Sequence, residues 1–278
     1  MSIDSLAPCS GAHAVQSAAF ALEWANPLQL DALTKTFSEY HQSGSELRKQ
    51  LPSPPQEQKQ LSLRIDQAPG ITVPPTVASS GELIGYLFSK PLDAVSPARL
   101  LQINRNTYLH VIHDYTRWNP VLSDVTRLIE SLANTLVSSP ITSIGLQYTD
   151  VFHWRDDPEN LIYSEILNRD SGLFASHIVD SKCLWHSHHG YMEKVTEPPD
   201  GNLLNNVNID IIENGGQRSI AILTSHRLQL ARPIYNPQEL STSSKAAYEL
   251  LHKKNKELLL KLLQPEVRKK IKLESGSQ

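Results

Sequence analysis

The 278-residue chain predicts an α+β fold: two similar lobes of antiparallel sheet, each packing an amphipathic helix, followed by a long C-terminal helix. Three observations carry this prediction. Apolar and polar residues alternate with a period of two near 61–65, 144–148 and 203–212, the pattern of half-buried strands. Two segments, 27–42 and 120–137, switch to helical spacing, each behind a tryptophan and an Asn-Pro pair. The last segment, from about 241, carries a leucine stripe against a lysine-rich remainder.

In chain order, residues 14–24 are apolar with turn chemistry after them, which predicts a strand. Asn26-Pro27 opens a helix, Asn as N-cap and Pro preorganised for the first turn, with Leu30, Leu33, Phe37 and Tyr40 on one face. Prolines make 52–58 a loop, and Leu61, Leu63 and Ile65 a strand. Residues 67–81 are expected to be irregular, with a short strand around Ile71. Strands follow at 83–88 and 99–115. Trp118-Asn119-Pro120 opens the clearest helix, with Val121, Leu122, Val125, Leu128, Ile129, Leu132 and Leu136 in register. Residues 141–154 form the next strand, 158–169 a short helix, and 182–195 a strand containing three histidines. Asn214-Gly215-Gly216 turns a hairpin between 203–212 and 218–230. The matching tryptophan and Asn-Pro signals divide the chain into lobes at 1–97 and 98–235, with a basic helix and frayed tail at 236–278.

Composition narrows the function classes. Apolar content of 40% and charged content of 20% are globular values. The net charge of −3 gives no global attraction to nucleic acid. Two cysteines make no disulfide framework, and Met1–Ser10 has no basic or apolar leader pattern, so a cytoplasmic location is expected. No apolar run of 18 residues exists, so no membrane partner is expected. Charge is uneven: 241–272 carry nine Lys/Arg against three Glu, and 1–240 carry 17 basic against 25 acidic side chains. Lys253, Lys254 and Lys256 therefore form either a solvated face docked on an acidic body or a surface for a partner. That partner would be another protein first and a nucleic acid second, since no aromatic residues interleave with the lysines.

Trp185-His186-Ser187-His188-His189 is the most chemically loaded stretch. Strand parity puts His186 and His188 on one face and His189 on the other. Two imidazoles so spaced can share a zinc, but a catalytic site needs a third ligand. The metallo-β-lactamase pattern fails because Gly190 and Tyr191 follow His189. The amidohydrolase pattern fails because too little chain remains for a barrel. Trp185-His186-Ser187-His188 resembles the JAMM metalloprotease motif, whose later Ser and Asp positions hold Thr196 and Pro199 here, with Asp200 one residue late. A zinc hydrolase using His186, His188 and Asp200 is the alternative expectation. The first expectation is a polar strand facing Asn206, Asn208 and Asp210 across a hairpin, a candidate binding surface without a metal. No dinucleotide-binding, Walker or nucleophile-elbow motif is present.

Across 13–270 the chain resembles a sporadically distributed family of uncharacterised bacterial proteins of similar length. "HAVQSAAFALEWANPLQLDAL" resembles its opening strand and helix, and "ITSIGLQYTDVF" its central strand, with Gln147 where that family tends to carry Arg. "LWHSHHGYMEK" and "LLNNVNIDI" resemble the strands that follow, and "YELLHKKNKELLLKLL" its closing helix. The family supplies no reaction. Its patchy distribution implies a mobile defence or toxin–antitoxin module. The expectation is thus a non-catalytic binding or regulatory protein in such a module.

Overall fold

The computed structural model describes residues 3–64 and 76–273. Ile65, the expected strand around Ile71 and the frayed tail lie outside the described residues. Strands β1 (Leu6–Pro8), β2 (Val15–Trp24), β3 (Ser53–Arg64), β4 (Thr76–Pro91), β5 (Pro97–Asn104), β6 (Thr107–Ile112), β7 (Ile141–Trp154), β8 (His186–Val195), β9 (Gly201–Asn214) and β10 (Gln217–Ile234) make one antiparallel sheet. Its order is β3-β4-β5-β6-β2-β7-β10-β9-β8, with β1 added beside β7. The helices are α1 (Leu30–His41), α2 (Glu46–Gln50), α3 (Trp118–Leu136), α4 (Pro237–Leu262) and α5 (Pro265–Lys270). The α+β class is as predicted, and among the described residues no helix is long and apolar enough to cross a membrane.

The sheet runs unbroken through the expected boundary at 97, where β5 starts against β4. From β2 and from β7 the chain makes an excursion and returns, over four strands in the first case and three in the second. After β2, a meander ends on β6, which pairs back to β2 and leads into α3. After β7, a meander ends on β10, which pairs back to β7 and leads into α4. β2 and β7 lie side by side in the middle of the sheet. The topological counterpart of α3 is therefore α4, not α1, which leads from β2 toward the edge strand β3. The second aromatic-Asn-Pro opener is Tyr235-Asn236-Pro237, where the Asn236 side chain accepts from the Glu239 amide at 2.7 Å. Asn26-Pro27 opens no helix. The Leu28 amide donates to Arg105 O at 2.6 Å and Asn26 O accepts from Ser139, so this segment is tied down as a linker. α1 starts at Leu30, which is exposed, and buries the expected Leu33 and Tyr40 together with Ala32 and Thr36, with Phe37 partly buried against the core.

Three other expectations change for local reasons. Prolines 52, 54 and 55 do not prevent β3, because it is an edge strand and a lost ladder donor there costs little. The expected strand 99–115 is a hairpin. Asn104 Oδ1 accepts from the Asn106 and Thr107 amides, both at 2.8 Å, and turns the chain. The expected helix 158–169 is a series of 3₁₀ turns, two of them capped separately by Asp157 and Asn168.

Alternation along the central strands sends one side chain in two under the helices. Phe20, Leu22, Ile144, Leu146 and Tyr148 join Leu33, Val125, Leu128, Leu132 and Leu251 in the main core. Trp24 at the end of β2 donates its indole N–H to Leu136 O at 2.7 Å and pins the last turn of α3. A second core lies beneath the other half of α4, the 3₁₀ turns and α5, around Phe152, Ile220, Ile222, Leu258 and Leu262. The opposite face of the sheet carries small and polar side chains such as Ala19, Ala21, Gln147, Thr149, Ser225 and Asn206, all partly buried. Among the described residues no helix packs on it.

Candidate binding sites

The two faces carry two candidate sites. On the open face, β8 pairs with β9 so that His186 stands opposite Asp210, His188 opposite Asn208 and Gly190 opposite Asn206. The expected polar row is therefore brought together, and His189 turns to the other face opposite Val207. The His186 and His188 rings lie 5.4 Å apart, edge to face. A groove of about 460 Å³ runs over Gln147, His188, Asn206, Asn208 and Ser225. A Cβ at Gly190 would collide with the Asn206 amide, so glycine sets the depth of this groove. Asp200 does not join the two histidines. It lies in the turn after β8, about nine strand residues or roughly 30 Å from His186. Among the described residues no group of three or more His, Cys, Asp and Glu is arranged to hold a metal ion.

The second site is a chamber of about 770 Å³ on the helix side, where α4 crosses the sheet beside the start of α3. β7 contributes Tyr148 and Asp150 to its inner wall because both fall on the alternation that points beneath the helices. The turn into β2 adds His13, the β6–α3 connection adds Tyr115 and Arg117, and α4 adds His252, Lys253, Asn255 and Lys256. Tyr148 Oη and His252 Nδ1 are 2.9 Å apart, and Trp118 stacks on the His252 ring at 4.0 Å. The rest of the lining is largely apolar, including Val15, Leu259, Ile271 and Leu273.

Burial dominates the electrostatics of this chamber. Asp150 is 3% exposed, and its Oδ2 has no hydrogen-bond partner among the described residues. With nothing nearby to favour the anion, its pKa rises to about 7. Burial, with Lys256 nearby, lowers His252 to about 4, so the ring is neutral. Burial also lowers His13, whose Nδ1 is unpartnered. The rim has the opposite character. Arg117, Lys253 and Lys272 are exposed there, and among the described acidic side chains only Glu257 shares the rim, itself 3.8 Å from Lys254. Arg117 also occupies the N-cap position of α3 without a side-chain cap, which leaves the Trp118 and Asn119 amides at the positive end of a 19-residue helix.

The expected lysine cluster is thus divided. Lys253 and Lys256 belong to the chamber rim. Lys254 points to β8, where it binds Glu193 at 3.0 Å. Glu193 accepts from Asn205, whose Oδ1 lies 2.7 Å from His226 Nδ1, and Thr224 donates to Asn255 at 2.6 Å. This polar chain locks α4 to β8, β9 and β10. Burial lowers His226 to about 4, and it is neutral within that chain. The sequence reading missed Asp150, Tyr148, His13, Tyr115 and His252. The available signals were a lone Asp on the buried parity of a strand and a lone His in a Leu/Lys helix.

Fold and site together describe an antiparallel α+β protein with a ligand-sized chamber beneath its closing helix. Comparison with models of known protein families and with curated proteins finds no match to the chain.

Proposed function

We propose that this is a non-catalytic binding or regulatory protein whose binding centre is the chamber between α3, α4 and β7. The observation that supports this most directly is that Asp150 lines a ligand-sized, mostly apolar cavity and its buried Oδ2 has no hydrogen-bond partner among the described residues. A buried carboxylate oxygen without a donor costs about 1–3 kcal/mol or more, and a bound molecule that supplies the donor recovers it. Among the described residues no serine or cysteine lines the chamber to act as a nucleophile, and His252 is engaged by Tyr148 and Trp118.

The open face with His186, His188, Asn206, Asn208 and Asp210 is the second surface of this reading, presented to a protein partner. The two halves of the chain act as similar lobes in which α3 and α4 correspond, on the ground that both follow a strand returning to the sheet centre. Cytoplasmic location rests on composition. Family membership, bacterial origin and a mobile defence or toxin–antitoxin setting rest on the resemblance alone. The zinc-hydrolase alternative draws no support from this geometry, since its third ligand is remote from His186 and His188.

A crystallographic soak of the whole chain with a diverse fragment set tests the proposal. Fragments are expected to collect in the chamber against Tyr148 and Asp150. Fragments that fill only the open-face groove would overturn the chamber assignment.

A further inference from the structure

Resting on the chamber reading, we infer that the ligand is a small zwitterion: a protonated amine bound by Asp150, an apolar body, and a carboxylate or phosphate held at the rim by Arg117, Lys253 and the first amides of α3. Each part follows from a different observation. The inner wall includes Asp150, whose buried Oδ2 has no hydrogen-bond partner among the described residues. A cationic donor is the partner that restores most of what the buried carboxylate loses, because a charge-assisted hydrogen bond is about twice as strong as a neutral one. Among the described residues no cation fills that role: burial alone displaces the Asp150 pKa.

Much of the lining is uncharged, with Val15, Leu259, Ile271 and the Tyr115 and Tyr148 rings among it, which suits an apolar ligand body. The rim reverses the sign. Arg117, Lys253 and Lys272 surround it, Lys256 adds a fourth positive charge against the single carboxylate of Glu257, and the uncapped end of α3 offers two amides. A helix start of this kind favours an anion but does not by itself define a site. Here it is one end of a cavity whose other end holds an unsatisfied carboxylate, and the pair of ends sets the polarity of the ligand. A pure anion would leave Asp150 unpaired or repel it, and a pure amine would leave the rim unused.

The test uses three matched series on the full chain: tryptophan with tryptamine and indole-3-propionate, phenylalanine with phenethylamine and 3-phenylpropionate, and 6-aminohexanoate with hexylamine and hexanoate. Affinity is read by NMR titration in low salt. In at least one series the zwitterion is expected to bind about tenfold more tightly than either singly charged relative, one charge-assisted bond being worth about a factor of ten. Asp150→Asn is expected to weaken the zwitterion and the amine about tenfold and leave the acid unchanged. Arg117→Ala with Lys253→Ala is expected to weaken the zwitterion and the acid and leave the amine unchanged. Equal affinity of zwitterion and acid, or indifference of every amine to Asp150→Asn, would overturn the assignment. If none of the nine compounds binds although the fragment soak fills the chamber, the zwitterion assignment fails and the chamber reading stands. If the soak also leaves the chamber empty, both fail.

Discussion

The open face and the chamber both carry histidine and aspartate side chains on opposite faces of the same sheet, and only the chamber lies beneath helices. On the open face His186 and His188 are exposed beside Asn208 and Asp210, and solvent reaches their rings. Beneath the helices Asp150 and His226 are buried and His252 partly so, and burial raises the Asp150 pKa to about 7 and lowers both imidazoles to about 4. The difference lies in what is docked on top, not in residue identity. A three-histidine run on an uncovered strand stays a polar surface, whereas a lone aspartate under α4 becomes a group whose charge the fold resists.

The largest effect that sharpens this contrast is expected from Asp150→Asn. The folded pKa of Asp150, about 7, lies above its ordinary 3.8, so the fold favours the protonated acid. Its contribution is fully present below the unfolded pKa, and stability is lost as pH rises from about 4 through 7. Asparagine has no charge to lose. At pH 8.5 the variant should be more stable than wild type by up to about 4 kcal/mol, and at pH 4 the gap should close. Urea unfolding at both pH values measures this. His110, His226 and His252 work in the opposite sense, since burial lowers their pKa values and their stability is lost as pH falls. Both proteins share that background, so it cancels in the difference. Asp210→Asn on the open face should change stability by no more than about 0.5 kcal/mol at any pH. A pH-independent gap at position 150 would mean a solvated carboxyl and no contrast between the faces.

A smaller effect is expected where α4 is locked to the sheet. Asn255→Ala removes the acceptor of the Thr224 hydroxyl and a neighbour of His226, both fully buried. Leaving a buried hydroxyl unsatisfied should cost about 1–3 kcal/mol in chemical denaturation. Asn208→Ala, opposite His188 on the open face, should cost less than about 0.5 kcal/mol. Equal losses would show that the open face is also covered.

The two sites differed equally in how legible they were. Strand parity and the Asn214-Gly215-Gly216 turn were enough to place His186, His188, Asn206, Asn208 and Asp210 on one face, because all lie within a single local meander. The strand at 141–154 was likewise readable from alternation alone. The chamber draws on 13–15, 115–120, 148–150, 252–260 and 271–273, and only the sheet order and the crossing of α4 bring these together. Non-local pairing of β2 with β7 leaves no trace in spacing. The Asn-Pro signal misled for a related reason. A favourable opener at 26–27 was overridden by tertiary hydrogen bonds to Arg105 and Ser139, while the effective second copy at 236–237 was hidden in a polar stretch.

The smallest expected effects fall at the boundary between the faces, where Lys254 ties α4 to the edge strand β8 through Glu193. Both side chains are partly exposed, so screening leaves the pair worth about 1 kcal/mol at most, and 0.5 M salt should remove much of it. Lys254→Met retains the aliphatic stem and removes the charge. It should lower stability by that amount, with the loss shrinking at high salt. It should also speed amide exchange along β8 more than along β9, since β8 has a sheet neighbour on one side alone. Ligand affinity in the chamber should be unaffected, because Lys254 points away from the rim that Lys253 occupies. If Lys254→Met weakened ligand binding as much as Lys253→Ala, the basic helix would act as one undivided anionic-partner surface, and the division between chamber rim and sheet lock would be lost.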